Sequence, residues 1–241
     1  MATVSGESAS VSKVAQINRG SKEFIPSALP VLTRAFQNDP IFNYFMGALS
    51  EEERTDYLPQ FLATLLKASV LNKGFILEIS SWGSCAVMLP PGKKPNNPRT
   101  LFQAGLPAAV LQLKPTGIKV KRILLEHAMA VKRAKKKAFT SKEMSEYWYL
   151  FIIGTDTDRQ RQGLGGILLE YMKSHALSHG RRPLWLEASN QNARKLYAKH
   201  GFEEVEEITL GMGLVGPDGL ASKGAEGVKT WGMVWRPDAK R

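Results

Sequence analysis

An apolar run, Trp148-Tyr149-Leu150-Phe151-Ile152-Ile153, leads into the turn Gln160-Arg161-Gln162-Gly163-Leu164-Gly165-Gly166, and the turn opens a helix rather than a second strand. Leu164, Ile167, Leu168, Tyr171 and Met172 recur at helical spacing through Ser178, and Gly180 stops the pattern. A strand, a glycine turn and a helix in that order form a cradle for an anion. Glycines let a ligand approach the backbone, and the first helical turn offers unpaired N–H groups at the positive end of the dipole. The order implies a bound phosphorylated ligand. No Gly-Lys-Ser/Thr follows the glycines, which argues against a nucleoside-triphosphate loop, and Gly163-Leu164-Gly165 is not completed as a spaced dinucleotide fingerprint.

Downstream, Leu184-Trp185-Leu186-Glu187-Ala188 reads as a short strand. Ser189 or Asn190 can cap the helix that follows, and Gly201 ends it before Phe202. Gln160, Gly163 and Gly165 match the Gln/Arg-x-x-Gly-x-Gly/Ala motif of the GNAT acetyltransferase superfamily. Asn190, Ala193, Tyr197, Gly201 and Phe202 match its second half, so the C-terminal hundred or so residues resemble that superfamily. Trp148-Tyr149-Leu150, Leu186-Glu187-Ala188-Ser189 and Trp231-Gly232-Met233 are similar to the puromycin-type N-acetyltransferases, which modify small amines.

The resemblance implies an α/β GNAT (acyl-CoA N-acyltransferase) fold: a mixed, mainly antiparallel sheet with splayed central strands and helices on both faces. It implies acetyl-CoA as co-substrate, with the pyrophosphate on Gln160, Arg161, Gln162, Gly163, Leu164, Gly165 and Gly166, the pantetheine arm along Ile153, Gly154 and Thr155, and Asn190 at the same site. Tyr197 matches the family's proton donor to the leaving thiolate, against the alternative of a tyrosine packed under its helix. The strand positions that carry a glutamate or a histidine in relatives are Tyr149 and Tyr147 here. That leaves as base Glu187, which could equally orient the substrate ammonium or simply face solvent, or Glu146 through water. Phe42, Tyr44, Phe45, Tyr147, Tyr149 and the Leu101–Leu113 segment are the candidate acceptor walls, against the alternative of plain core. The implied reaction is acetylation of a small-molecule primary amine. A protein N-terminal or lysine acetyltransferase and a catalytically silent CoA-binding module are the alternatives.

Composition is that of a folded enzyme domain: 241 residues and 43% hydrophobic content. Residues 1–10 are expected to be disordered. Residues 11–241 are expected to form one domain, with an acceptor-side half at 11–146 and a cofactor-binding half at 147–241. Cys85 alone cannot form an internal disulfide, which fits a cytoplasmic protein, a monomer or homodimer. No leader pattern is visible, and no apolar run approaches the ~20 residues of a membrane span. His127, His175, His179 and His200 lack metal-ligand spacing and are expected on surfaces or helix faces, so no metal is expected.

In the N-terminal half a first strand is expected over Val11–Asn18, and helices over Ile25–Phe36, from Asp39-Pro40 through Phe45, and from a capping box at Ser50-Glu51-Glu52-Glu53. A hairpin over Phe75–Ile79 and Ser84–Leu89 and helices over Leu101–Leu113 and Ile118–Ala138 complete it. The net charge of +11 includes a basic segment, 118–143, with nine lysines and arginines against Glu126 and Glu143. Val120, Ile123, Leu124, Ala128, Val131 and Ala134 run through it as an apolar stripe, so it reads as a helix packed on one side and solvated on the other. No nucleic-acid motif accompanies the charge.

Overall fold

The fold is built around a gap between two neighbouring strands, seen in a computed structural model that describes residues 16–112 and 117–238. The expectation for residues 1–10 lies outside the described residues, as do the side chains of 111–124. β1 (Ile17–Gly20) is an edge strand that pairs antiparallel with the second strand, and residues 11–15 of the strand expected over Val11–Asn18 lie outside the described residues. α1 (Ile25–Phe36) tolerates Pro26 in its first turn, where an N–H has no helical partner, and buries Ala28, Val31 and Leu32. α2 (Pro40–Met46) is capped by Asp39, which accepts the N–H groups of Ile41 and Phe42 at 3.0 and 3.3 Å.

α3 (Glu51–Leu71) begins with the expected capping box. Ser50 Oγ accepts from Glu53 N–H at 3.2 Å, and the Glu53 carboxylate accepts from Ser50 N–H at 2.7 Å. β2 (Phe75–Ile79) and β3 (Ser84–Leu89) form the hairpin. The expected helix over Leu101–Leu113 is instead two, α4 (Pro98–Gln103) and α5 (Leu106–Gln112), because Gly105 between them has φ +93°, a left-handed conformation that ends a helix.

α6 (Gly117–Ala138) is followed by β4 (Trp148–Thr155), α7 (Leu164–Ser178), β5 (Leu184–Ala188), α8 (Gln191–Lys199), β6 (Glu203–Leu210) and β7 (Val228–Trp235). The sheet order is β1-β2-β3-β4-β5-β7-β6, antiparallel except between β4 and β5. That parallel pair is in register only at Trp148↔Leu184 and Tyr149↔Trp185, after which the strands part. A bulge opposite Val87 and Met88 in β3 leaves Phe151 extra, so Phe151 and Ile152 project toward the same face.

Strand alternation sorts the side chains. Tyr149 and Trp185 face α1, α3 and α6, whereas Trp148, Leu150, Leu184 and Leu186 face α7 and α8. Each face therefore has its own core under its own helices. Cys85 is fully buried in β3, where burial pushes its thiol up to about 12, and it packs as a small apolar residue.

His175 lies on a face of α7, one of the two placements expected for it, but that face is buried. It is buried between Phe75 and Trp148 (ring centroids 5.5 and 4.8 Å), and its Nε2 has no hydrogen-bond partner among the described residues. Burial, with the charge of His179 and Arg19, lowers its pKa from 6.5 to about 4. A histidine whose folded pKa lies below its unfolded value imposes no penalty while both states are neutral, and the native state loses stability as pH falls through that window. Stability is expected to decline between pH 6.5 and about 4. His175→Phe, which keeps a ring against Phe75 and Trp148, should flatten that decline in urea midpoints measured across the range.

Candidate active site

The parting of β4 and β5 exposes one edge of β4. Asp156 N–H donates to Gly83 carbonyl at 3.0 Å on the β3 side. By antiparallel alternation the Gly154 N–H also faces β3, while those of Ile153 and Thr155 face the open edge. Gly154 serves a different purpose: a Cβ there would stand 2.9 Å from Leu32 Cδ2 and 3.0 Å from Ala35 Cβ, so its absence lets α1 lie close on β4.

At the end of this edge, Gln160, Arg161, Gln162 and Gly163 form an exposed turn with left-handed residues at Arg161 (φ +61°) and Gly163 (φ +80°). Leu164 buries its side chain in the core, leaving only its backbone at the turn. The three glycines have separate reasons. Gly163 needs its positive φ, and Gly166 avoids His200, whose Nε2 would be 2.8 Å from a Cβ. Gly165 meets neither constraint, since a Cβ would sit at ordinary contact from Leu196 (3.6 Å) and Thr155 (3.7 Å). A glycine that the protein's own packing does not require suits a backbone approached by a ligand. The N–H groups of the first turn of α7 point the same way, so the residues present fit a pyrophosphate.

A cavity of about 120 Å³ opens where the strands part. Tyr197, from α8 on one face, reaches it through the gap and joins Asp39, Phe42, Phe45, His127, Tyr149, Phe151, Glu187 and Ser189. The Tyr197 hydroxyl makes no hydrogen bond among the described residues. Burial, reinforced by Asp39 and Glu187, raises its pKa well above the usual tyrosine value, so it is protonated at neutral pH. Asp39 accepts the Ser189 hydroxyl, which ties the start of α2 to the end of β5; burial raises its pKa, partly offset by that bond.

Alternation along β5 puts Glu187 on the same side as Trp185, facing α6. Its carboxylate accepts from Trp185 Nε1 and from the Tyr149 hydroxyl, and Lys135 Nζ lies 3.4 Å from Oε1. The Lys135 ammonium also sits over the Tyr149 ring at 4.0 Å and near Tyr147 and Trp185 at 5.3 and 5.5 Å. Burial lowers the Lys135 pKa, and Glu187 opposes that shift. Such a pair is a weak source of net stability, but removing one partner costs about 3–5 kcal/mol because the other charge stays buried. Lys135 thus corrects the expectation that the charges of the basic segment are all solvated, because Glu187 and three rings draw it inward. The ammonium that Glu187 meets here is the chain's own.

A second cavity of about 350 Å³ adjoins the first, with Phe45, Leu65, His127, Tyr149 and Phe151 in both walls. Tyr147, Leu101 and Leu106 line the larger one. Of the expected acceptor walls, Phe42, Phe45, Tyr147 and Tyr149 are placed at these cavities. Tyr44 lines neither: its hydroxyl donates to Glu126 at 3.0 Å. Glu146 is also absent from both walls, and Asn190 uses its side chain to cap α8 by accepting Ala193 N–H at 3.0 Å. Asp39, His127 and Lys135 were not foreseen as site residues. His127, Val131 and Lys135 stand four residues apart on one face of α6, a spacing that carried the signal.

Comparison with known proteins agrees with this geometry. Residues 124–202 match the family described as Acetyltransferase (GNAT) family. The chain is 49% identical over 57 residues to "[Ribosomal protein bS18]-alanine N-acetyltransferase" of Escherichia coli (strain K12), a stretch that is 23% of this chain and 38% of that relative's length. Among solved structures it is similar to histone acetyltransferase HPA2 and related acetyltransferase from Corynebacterium glutamicum ATCC 13032, with TM-score 0.57, 18% identity and 94% and 98% of the two chains covered. It is also similar to arylalkylamine N-acetyltransferase 2 from Aedes aegypti, with TM-score 0.56, 13% identity and 94% and 100% covered. The splayed sheet and the solved structures identify a GNAT fold, and residues 124–202, which include the glycine turn, match the model of the GNAT acetyltransferase family.

Proposed function

We propose that this protein transfers an acetyl group from acetyl-CoA to the primary amine of a small molecule. The observation that carries the reading is that the open β4 edge, which ends at the glycine turn, and a protonated Tyr197 hydroxyl with no hydrogen-bond partner among the described residues meet at one cavity. Acetyl-CoA would supply the activated acetyl thioester. The N–H groups of Ile153 and Thr155 would bind its amide arm, and the first turn of α7, from Gly163 through Gly166, its pyrophosphate. Gln160, Arg161 and Gln162 rim that turn.

An acceptor ammonium must lose a proton before it can attack. Glu187 and Asp39 are the carboxylates in the cavity wall, and Glu187 is the proposed acceptor of that proton, directly or through water. Lys135 and the Tyr149 hydroxyl hold the Glu187 carboxylate in place. As the carbon–nitrogen bond forms and the carbon–sulfur bond breaks, Tyr197 gives its proton to the departing sulfur. The adjoining apolar cavity, walled by Phe45, Tyr147 and Tyr149, suits a compact acceptor body.

Thiol release from acetyl-CoA tests the reading across arylalkylamines, aminonucleosides, polyamines and peptides with free N-termini or lysines. Small amines should exceed peptides in specificity constant by about 10-fold or more, the equivalent of about 1.4 kcal/mol in transition-state binding. Peptides ahead by that margin would replace the small-molecule acceptor with a protein. Acetyl-CoA binding without turnover of any acceptor would leave a silent CoA-binding module.

A further inference from the structure

Charge is segregated between the two adjoining cavities. In the smaller, beside Tyr197, the charged wall residues are Asp39 and Glu187, with no lysine or arginine among the described residues. In the larger they are Lys94, Lys132 and Lys135, with no carboxylate among the described residues. Lys135 is neutralised by Glu187, whereas Lys94 and Lys132 have no ion-pair partner among the described residues. Elsewhere on α6, Arg133 and Lys137 reach Glu206 at 3.5 and 3.0 Å, while Lys136 has no ion pair among the described residues; what sets Lys94 and Lys132 apart is that both line the cavity. The rest of the larger wall is largely apolar and aromatic.

From this arrangement we infer that the acceptor is an apolar amine bearing an anionic group remote from the reacting nitrogen. The inference rests on the acetyl-transfer reading above and names its acceptor class. The amine end lies beside Tyr197, where the transfer requires it and where no cation among the described residues lines the wall, the apolar body fills the space between Phe45 and Tyr149, and the anion meets Lys94 and Lys132. A polycationic acceptor is disfavoured there by the same two ammonium groups. His127 adds no charge at neutral pH, since burial lowers its pKa.

The test compares 4-(2-aminoethyl)benzoate, 2-phenylethylamine and the para-trimethylammonium analogue of the latter, which share one amine and one ring and differ in remote charge. Wild type should favour the carboxylate over the neutral amine by about 10-fold or more in specificity constant at low salt, mainly through KM, with the margin shrinking as salt is raised. The trimethylammonium compound should be the poorest. In Lys94→Glu/Lys132→Glu the order should reverse, with acetyl-CoA affinity by calorimetry as the check that the protein is folded. A wild type that prefers the neutral or cationic amine overturns the anionic acceptor and leaves acetyl transfer standing. A carboxylate preference that survives in the double variant overturns the assignment to these lysines. Acetyl-CoA binding with no turnover of any amine overturns the acetyl-transfer reading, and the acceptor class falls with it.

Discussion

Tyr197→Phe is expected to lower the chemical rate by about 100-fold or more while leaving acetyl-CoA affinity nearly unchanged, the range that a positioned general acid contributes. The ring packs near Phe202, with centroids 6.0 Å apart, and phenylalanine keeps that contact. The hydroxyl has no hydrogen-bond partner among the described residues, so deleting it strands no buried group and should not cost stability. What disappears is the proton for the leaving sulfur. Because burial and two nearby carboxylates raise the tyrosine pKa, the wild-type rate should show no loss attributable to Tyr197 ionisation at or below its ordinary value of 10. A single-turnover measurement at saturating acceptor isolates the chemical step. A wild-type rate for Tyr197→Phe under those conditions would remove the donor role.

Gly165→Glu is expected to weaken acetyl-CoA binding by about 100-fold or more, about 2.7 kcal/mol, with the fold retained. The two expectations separate because of the room around this glycine: a Cβ would meet Leu196 and Thr155 only at ordinary contact distance. The same change at Gly166 would press on His200 and confuse binding with folding. At Gly165 the new carboxylate competes for the first N–H groups of α7 and opposes a pyrophosphate by charge. Calorimetry reads the affinity, and a urea midpoint reads the fold. Wild-type affinity in a folded variant would take the phosphate site away from this turn.

Local chemistry wrote much of this protein openly in its sequence. The Ser50-Glu53 capping box and the strand–glycine turn–helix order depend on residues close in the chain and stand where the sequence placed them, and of the two candidate caps Ser189 and Asn190 the helix takes Asn190. Helical periodicity likewise located α1 and α7, because the period of an amphipathic face is a property of neighbours. The break at Gly105 was missed because an apolar pattern runs through a glycine without revealing its φ.

What only the tertiary structure decided are contacts between distant segments. A lysine on α6 finds a glutamate on β5 because strand alternation turns Glu187 toward that helix and the rings of Tyr147, Tyr149 and Trp185 enclose the ammonium. In the sequence Lys135 is one cation in a basic run, with nothing to distinguish it from Lys136. Tyr44 was indistinguishable from Phe45 as an acceptor wall until Glu126 claimed its hydroxyl. The sequence by itself determined the strand, glycine turn and helix in their order, since backbone geometry and glycine placement are local. The tertiary structure decided which charges face which cavity, because burial and pairing exist only once α6, β4 and β5 have met.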